Sequence, residues 1–390
     1  MTEVLICHRL LPRLSESKGQ PVEAYELFSA CAIDFVTAYI FGLKAGANYL
    51  QNPEALSKRL KVFKSRQEFS FWYQEVPRLT SLLQRVGLRR LIFPRWLDKA
   101  NAEIDGWLLD LCDAAEHIVR EGNIDGPGDQ PVVYSQLRSA LSKQNGIDFA
   151  EKTRLPQKER IEMASELNDH TLAGFDTTGI TLTYLSWELS KAENVGVQEA
   201  LRDELQSVHK QFRATKNASE TCEIPDAKTL DSLPVLHSVI MESLRLHAAI
   251  DGQQPRVTPA DASLGPPTCA VDGIPADVRV SSRAYTLHRN PEVFSDPEQW
   301  KPQRWLDSQG RIEQGGEKAR WFWAFGSGGR MCIGSNLAMT EMKNIVAAIW
   351  SNFVTTVVDD SGMVHTDGYT SEPKGSSEGD YLLLKFAPLE

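Results

Sequence analysis

The chain has 390 residues, 42% of them hydrophobic and 24% charged, with no low-complexity run. That length and balance exclude disorder as the default state and leave room for one large domain or two to three ordinary ones. A formal net charge of −10 argues against nucleic acid as the main partner, because phosphate binding needs a basic face.

In chain order, Met1 to Arg13 lacks the long apolar core and small-residue cleavage site of a signal peptide. Val22 to Phe41 has apolar residues at helical spacing. Within it begins the longest nearly apolar stretch, Leu27 to Leu43, interrupted by Asp34. It is short for a membrane span of about 20 residues and carries a charge near its middle, so it reads as a buried core helix, not a transmembrane anchor. Pro53 to Trp72 is amphipathic and basic. The aromatic run Phe69 to Tyr73, with Arg85, Arg89, Arg90 and Arg95 nearby, has two readings: core packing beneath a solvated basic face, which is preferred, or a surface resting on a membrane. Further helices are expected over Trp96 to Arg120, Arg160 to Lys191, Val197 to Phe212 and Leu233 to His247.

The texture changes after residue 250. Five prolines and three glycines between Asp251 and Asp277 forbid a continuous helix and predict short strands and turns. Gly326 to Gly334 is a glycine-rich loop, followed by a helical pattern over Ser335 to Phe353. The tail, Thr355 to Leu389, alternates apolar and polar residues around glycines, as in hairpins. The expected fold class is mainly α with a small segregated β portion, α+β.

Six cysteines, Cys7, Cys31, Cys112, Cys222, Cys269 and Cys332, form no C-x-x-C pair. Neither a disulfide framework nor a zinc site is indicated, and an isolated cysteine is ordinarily a small buried apolar residue. Cys332 is the exception, in Phe325-Gly326-Ser327-Gly328-Gly329-Arg330-Met331-Cys332-Ile333-Gly334. A thiolate bound to iron needs positive potential and N–H donors around it. A position just before a helix supplies both. Gly328 and Gly334 let the backbone fold tightly and a flat cofactor approach. Arg330 suits a carboxylate such as a haem propionate, and Phe325 suits a cover over the sulfur.

Upstream, Ala173-Gly174-Phe175-Asp176-Thr177-Thr178 lies inside the long helical pattern. Gly174 costs roughly 1 kcal/mol there against Ala. Threonine hydroxyls bond back to the preceding turn, so this stretch reads as a locally loosened helix with a backbone groove. The acid–alcohol pair Asp176 and Thr177 suits delivery of protons. Glu242 and Arg245 stand at i, i+3 on one helix among apolar neighbours. Lys301-Pro302-Gln303-Arg304-Trp305 and Gln254-Pro255-Arg256-Val257 complete the set of charged motifs.

Taken in this order, these segments resemble the cytochrome P450 superfamily, in particular its eukaryotic, fungal-like members. F-x-x-G-x-R-x-C-x-G is similar to the family's haem-binding loop and A-G-x-D-T-T to its oxygen-side helix. Glu242 to Arg245 resembles its E-x-x-R motif and Pro302 to Trp305 its P-x-R-W segment. The resemblance implies a single domain over 1–390 with an N-terminally short start. It would be mostly helical over 1–250, strand and turn over 251–300, haem loop and helix over 301–353, and hairpins over 354–390. It implies haem b with Cys332 as axial iron ligand, Arg330 and Arg256 toward the propionates, and Ala173 and Gly174 beside the cofactor. Asp176 and Thr177 would relay protons, and Glu242, Arg245 and Arg304 would form a buried structural triad. The Ala173 face, Ile250 to Gln254 and the Gly375–Gly379 turn would line a pocket.

The implied activity is haem-thiolate monooxygenation of a small lipophilic substrate, as in secondary metabolism. O2 would be co-substrate, and electrons would come from NADPH through cytochrome P450 reductase, since the chain has no flavin or nicotinamide fingerprint. Full-length relatives are expected at the endoplasmic reticulum membrane. Two rival readings stand beside this: a haem-thiolate isomerase or dehydratase, and a non-catalytic haem-binding or scaffold fragment.

Overall fold

A computed structural model of the chain describes residues 1–122, 124–145, 154–208, 224–265, 268–366, 368–376, 379 and 381–389. The expected helical residues 209–212, Cys222, Pro266, Pro267 and part of the Gly375–Gly379 turn lie outside them. The described residues divide into two compact units, Met1–Glu16 with Glu26–Gly179, and Ser17–Tyr25 with Ile180–Glu390.

The first unit opens with α1 (Thr2–Leu5) and α2 (Leu11–Glu16), joined by a π turn. The apolar stretch then forms α3 (Ala24–Phe41), the one helix among the described residues long and apolar enough to cross a membrane. It is 89% buried inside the protein, as expected for a core helix. Its interrupting charge has a structural use. Asp34 is fully buried and accepts the backbone N–H groups of Tyr49 and Leu50 at 2.7 and 3.1 Å, with Arg9 at 3.6 Å. Burial pushes its pKa up to about 6, against these hydrogen bonds and the Arg9 charge.

The expected helix Pro53 to Trp72 is two helices, α4 (Pro53–Gln67) and α5 (Ser70–Gln74), followed by α6 (Pro77–Arg85). The chain turns where the aromatic run begins. Phe93 is buried with Tyr73 stacked on it at 4.9 Å, but Phe71, Leu82, Val86, Leu91 and Trp96 are exposed. The preferred reading of this run as core packing is corrected: of its four aromatic side chains Phe71 and Tyr73 are exposed, Phe69 and Trp72 are half-buried, and none lies in the core. Next, α7 (Arg95–Glu121) buries Leu97, Ala100, Ile104, Leu108, Leu111, Ala115 and Ile118 at helical spacing. It stops at Gly122, which adopts φ +66° and donates its N–H to Ile118. α8 (Val132–Asn145) returns Arg138 and Tyr134 to the buried Glu116 of α7, at 3.0 Å each. α9 (Gln157–Ser190) continues into the second unit.

In the second unit, Val22 and Glu23 are not helical as expected but form β1, paired with Leu384 and Leu383. A partner strand some 360 residues away decides their conformation. α10 (Val195–Val208) carries Glu204, whose carboxylate accepts the N–H groups of Val235 and Leu236 at 2.7 and 2.8 Å. That caps α12 (Pro234–Leu246), reached through α11 (Ala227–Asp231). The proline-rich region makes two antiparallel pairs, β2 (Gln253–Val257) with β5 (Arg279–Arg283), and β3 (Ala262–Leu264) with β4 (Val271–Ile274). After α13 (Ala284–Leu287) and α14 (Gly316–Trp321) comes α15 (Ser335–Asn352), whose last twelve residues are all buried. Among the described residues the tail holds one strand pair where hairpins are expected. β6 (Phe353–Asp359) and β7 (Leu383–Pro388) close a three-stranded sheet in the order β1-β7-β6.

Candidate active site

The cysteine loop is built by two left-handed glycines. Gly326 has φ +68° and Gly328 φ +67°, a conformation that any side chain strains. Trp323 O accepts the N–H of Gly326 at 2.9 Å, and Phe325 O accepts the N–H of Cys332 at 2.8 Å, so the loop closes on itself. Cys332 then stands three residues before α15, at the end of a helix where backbone N–H groups are unpaired by the helix itself. Its thiol is exposed, flanked by Met331 at 57% and Ile333 at 90% exposure. Ser327 to Arg330 are exposed as well, and a Cβ added at Gly328 or Gly329 would meet nothing within 4 Å. The loop therefore presents one sulfur on an open, partly apolar surface.

This donor set suits a particular kind of metal. No group of three or more His, Cys, Asp or Glu that could hold an ion is found among the described residues. A bare ion would want three or four protein ligands. One thiolate on an open apolar face suits an iron already held by four ring nitrogens, which needs only an axial ligand. The residues present fit a haem.

Arg256 is exposed on β2 and donates Nη1 to Pro255 O at 2.9 Å. It shares a strand face with Gln254, and a Cβ on Gly326 would lie 3.3 Å from Gln254 Oε1. β2 thus passes along the cysteine loop, with Arg256 two residues further on. Phe325 is half-buried at the loop's start and Gly334 caps α15, 3.9 Å from the Cys332 sulfur as measured from its missing Cβ.

The acid–alcohol segment belongs to the first unit. Ala173 is exposed and Thr177, four residues on, shares its face; the Thr177 hydroxyl donates to Ala173 O at 2.9 Å. Asp176 is buried at 7% exposure. α9 runs unbroken through the segment. The expected groove at Gly174 is corrected: a Cβ there would sit 2.6 Å from Val36 Cγ2 of α3, so the glycine serves close helix packing.

Glu242, Arg245 and Arg304 are brought together. Arg245 donates Nε and Nη2 to both carboxylate oxygens at 2.9 and 2.8 Å, and Arg304 donates Nε at 2.9 Å. Lys301 N–H and Trp305 Nε1 add bonds at 2.8 and 2.9 Å. The remaining guanidinium nitrogens meet the carbonyls of His288, Pro297, Gln299, Ser295 and Asp296. Glu242 and Arg245 are fully buried. Sequence reasoning missed Trp305 as a ligand of this network and missed His288 altogether. The aromatic in the P-x-R-W segment was a usable signal for Trp305, whereas a lone histidine has no spacing to read.

The chain belongs to the cytochrome P450 family, whose model matches residues 6–373. It is similar to cytochrome P450 monooxygenase sdnE of Sordaria araneosa, 26% identical over 388 residues, covering 95% of this chain and 68% of that protein. It is also similar to cytochrome P450 monooxygenase tazI of Aspergillus terreus, 32% identical over 212 residues, 53% of this chain and 38% of the other. Cytochrome P450 3A18 of Rattus norvegicus is 26% identical over 348 residues, 87% of this chain and 61% of its own length. The chain thus spans about two thirds of the relatives that it matches nearly throughout.

Proposed function

We propose that the chain is the haem-binding body of a monooxygenase acting on a small lipophilic substrate, with Cys332 as the axial ligand. The observation that carries this is the exposed Cys332 thiol on a glycine-built loop ahead of α15. Haem b, when bound, would supply the redox chemistry for oxygen activation, in which one atom of O2 goes to substrate and the other to water with two electrons and two protons. The electrons come from NADPH through a separate reductase, whose docking needs a basic face despite the acidic total.

Cys332 would hold the group through its sulfur, Arg330 and Arg256 would meet its propionates, and Phe325 would limit water at the sulfur. Gly328 and Gly334 leave the loop surface without side chains in the way, and Ala173 offers a small side chain on the exposed face of α9. Thr177 holds its hydroxyl on Ala173 O, and Asp176, buried beside it in sequence, is the proton source for the same face. Glu242, Arg245 and Arg304 keep the second unit's ion core closed. An isomerase or dehydratase that rearranges peroxides needs no delivered protons, so the Asp176–Thr177 pair favours the monooxygenase.

The outward apolar side chains of 71–96, interleaved with Arg85 and Arg95, support peripheral contact with an anionic membrane such as the endoplasmic reticulum's cytoplasmic face. The test of the activity is turnover with reductase and NADPH. Thr177→Ala is expected to lower product by about 10- to 100-fold while hydrogen peroxide release rises. Unchanged coupling in that variant contradicts the proton role.

A further inference from the structure

One side chain touches both the buried ion core and the start of the cysteine loop. His288, just after α13, is fully buried. Its backbone carbonyl accepts Arg245 Nη1 at 2.9 Å, and its Nδ1 lies 2.8 Å from the Arg245 carbonyl oxygen. A carbonyl only accepts, so Nδ1 carries the proton. Nε2 is then a bare lone pair, and it accepts the backbone N–H of Trp323 at 2.7 Å. Both ring nitrogens are used, and the two partners admit one tautomer. The ring also stacks on Phe322, with centroids 5.4 Å apart and planes 14° from parallel.

The Trp323 peptide is where the cysteine loop is anchored. Its N–H is held by His288, and its carbonyl receives Gly326 N–H at 2.9 Å. Two residues on, the Phe325 carbonyl receives Cys332 N–H at 2.8 Å. A continuous path of short bonds therefore runs from Glu242 through Arg245, His288 and Trp323 to Cys332. Other bonds hold the ion core; among the described residues, His288 is the side chain that hydrogen-bonds both to it and to the segment leading into the loop.

We propose that His288 is a positioning residue: through Nε2 it fixes the Trp323 peptide and thereby the presentation of Cys332 to iron. This rests on the reading of Cys332 as the axial ligand. Burial pushes the His288 pKa down to about 3, so the ring stays neutral and the acceptor persists at ordinary pH. Protonation would set a donor against the Trp323 donor.

Two conservative variants of the full chain separate positioning from mere stability. His288→Asn places its amide near the Nδ1 position, so it can keep the bond to Arg245 O but not reach Trp323. His288→Gln places its carbonyl near Nε2 and can accept from Trp323 while losing Arg245 O. Without haem, amide hydrogen exchange at Trp323, Gly326 and Cys332 is expected to be about tenfold faster in His288→Asn than in wild type and near wild type in His288→Gln. With haem, the reduced protein under CO is expected to show the red-shifted thiolate band in wild type and His288→Gln. In His288→Asn more of the protein should give the unshifted, thiol-type band, even where its thermal midpoint is the higher of the two. Unchanged exchange protection in His288→Asn overturns the proposal whatever binds at Cys332. So does a thiolate fraction that simply follows thermal stability across the variants. A wild-type protein that takes up haem without a thiolate band, while its exchange pattern behaves as expected, overturns the ligand reading instead and leaves His288 as an anchor of the loop alone.

Discussion

Five hydrogen bonds converge on the Glu242 carboxylate, from two arginines, a tryptophan indole and a backbone amide. Removing its charge strands Arg245, which is fully buried, so Glu242→Gln is expected to destabilise by about 3–5 kcal/mol. Urea unfolding followed by circular dichroism checks this, and a loss under about 1 kcal/mol would mean that the core relaxes around the change. An exposed pair behaves otherwise: Lys301 to Asp296, at 2.6 Å but open to solvent, is screened by water and salt and contributes little. At this scale, the motif-bearing residues were legible because their spacing is local: Glu242 and Arg245 are one helical turn apart, and the cysteine loop is ten consecutive residues. His288 was illegible because its partners stand 43 residues before and 35 after it. No pattern along the chain marks a histidine whose two nitrogens serve distant backbone groups.

Gly174 illustrates how an element-level constraint hides behind a motif. The sequence suggested a loosened helix, but α9 is continuous and the glycine admits Val36 of α3. Gly174→Ala gains up to about 1 kcal/mol of helix propensity and loses about 1–3 kcal/mol to overpacking against a stiff β-branched side chain. A net loss is expected, and it should shrink when Val36→Ala is combined with it, as a double-mutant cycle would report. Additive effects would show that the helices separate freely.

Helix periodicity read α7, α9 and α12 nearly to their ends, because each has a buried stripe and a proline or glycine at a boundary. It failed where a distant partner decides, as at Val22 and Glu23 of β1, and where apolar residues are not buried at all. The outward-facing run of α5 and α6 is of the second kind: a hydrophobic side chain on a solvent face looks the same in sequence as one in a core. Leu82→Glu with Leu91→Glu, at positions 56% and 76% exposed, is expected to leave folding within about 0.5 kcal/mol of wild type. The same pair should abolish co-sedimentation with anionic vesicles, and vesicle binding that survives would place the contact elsewhere.

Across the whole molecule, buried titratable groups oppose one another. His237 is pushed down to about 4 and His288 to about 3, both mainly by burial. Below pH 6.5 the unfolded chain protonates these rings and the folded chain does not, so their contribution to stability is lost as pH falls from about 6.5 toward 3. Asp34, raised to about 6 by burial, acts in reverse, and its contribution falls as pH rises from about 4 to 6. His288→Asn is therefore expected to flatten the rise of stability between pH 4.5 and 6.5, and Asp34→Asn to steepen it. Urea midpoints measured across that range check both signs.

Cys332 is the residue on which the proposed activity depends. The measurement closest to it is the absorption spectrum of the haem-loaded chain, reduced under CO, for wild type and Cys332→Ala. The expected result is a red-shifted thiolate-type Soret band in wild type that is lost in Cys332→Ala. A wild-type band without that shift, or one that survives the substitution, would contradict the assignment of Cys332 as the iron ligand.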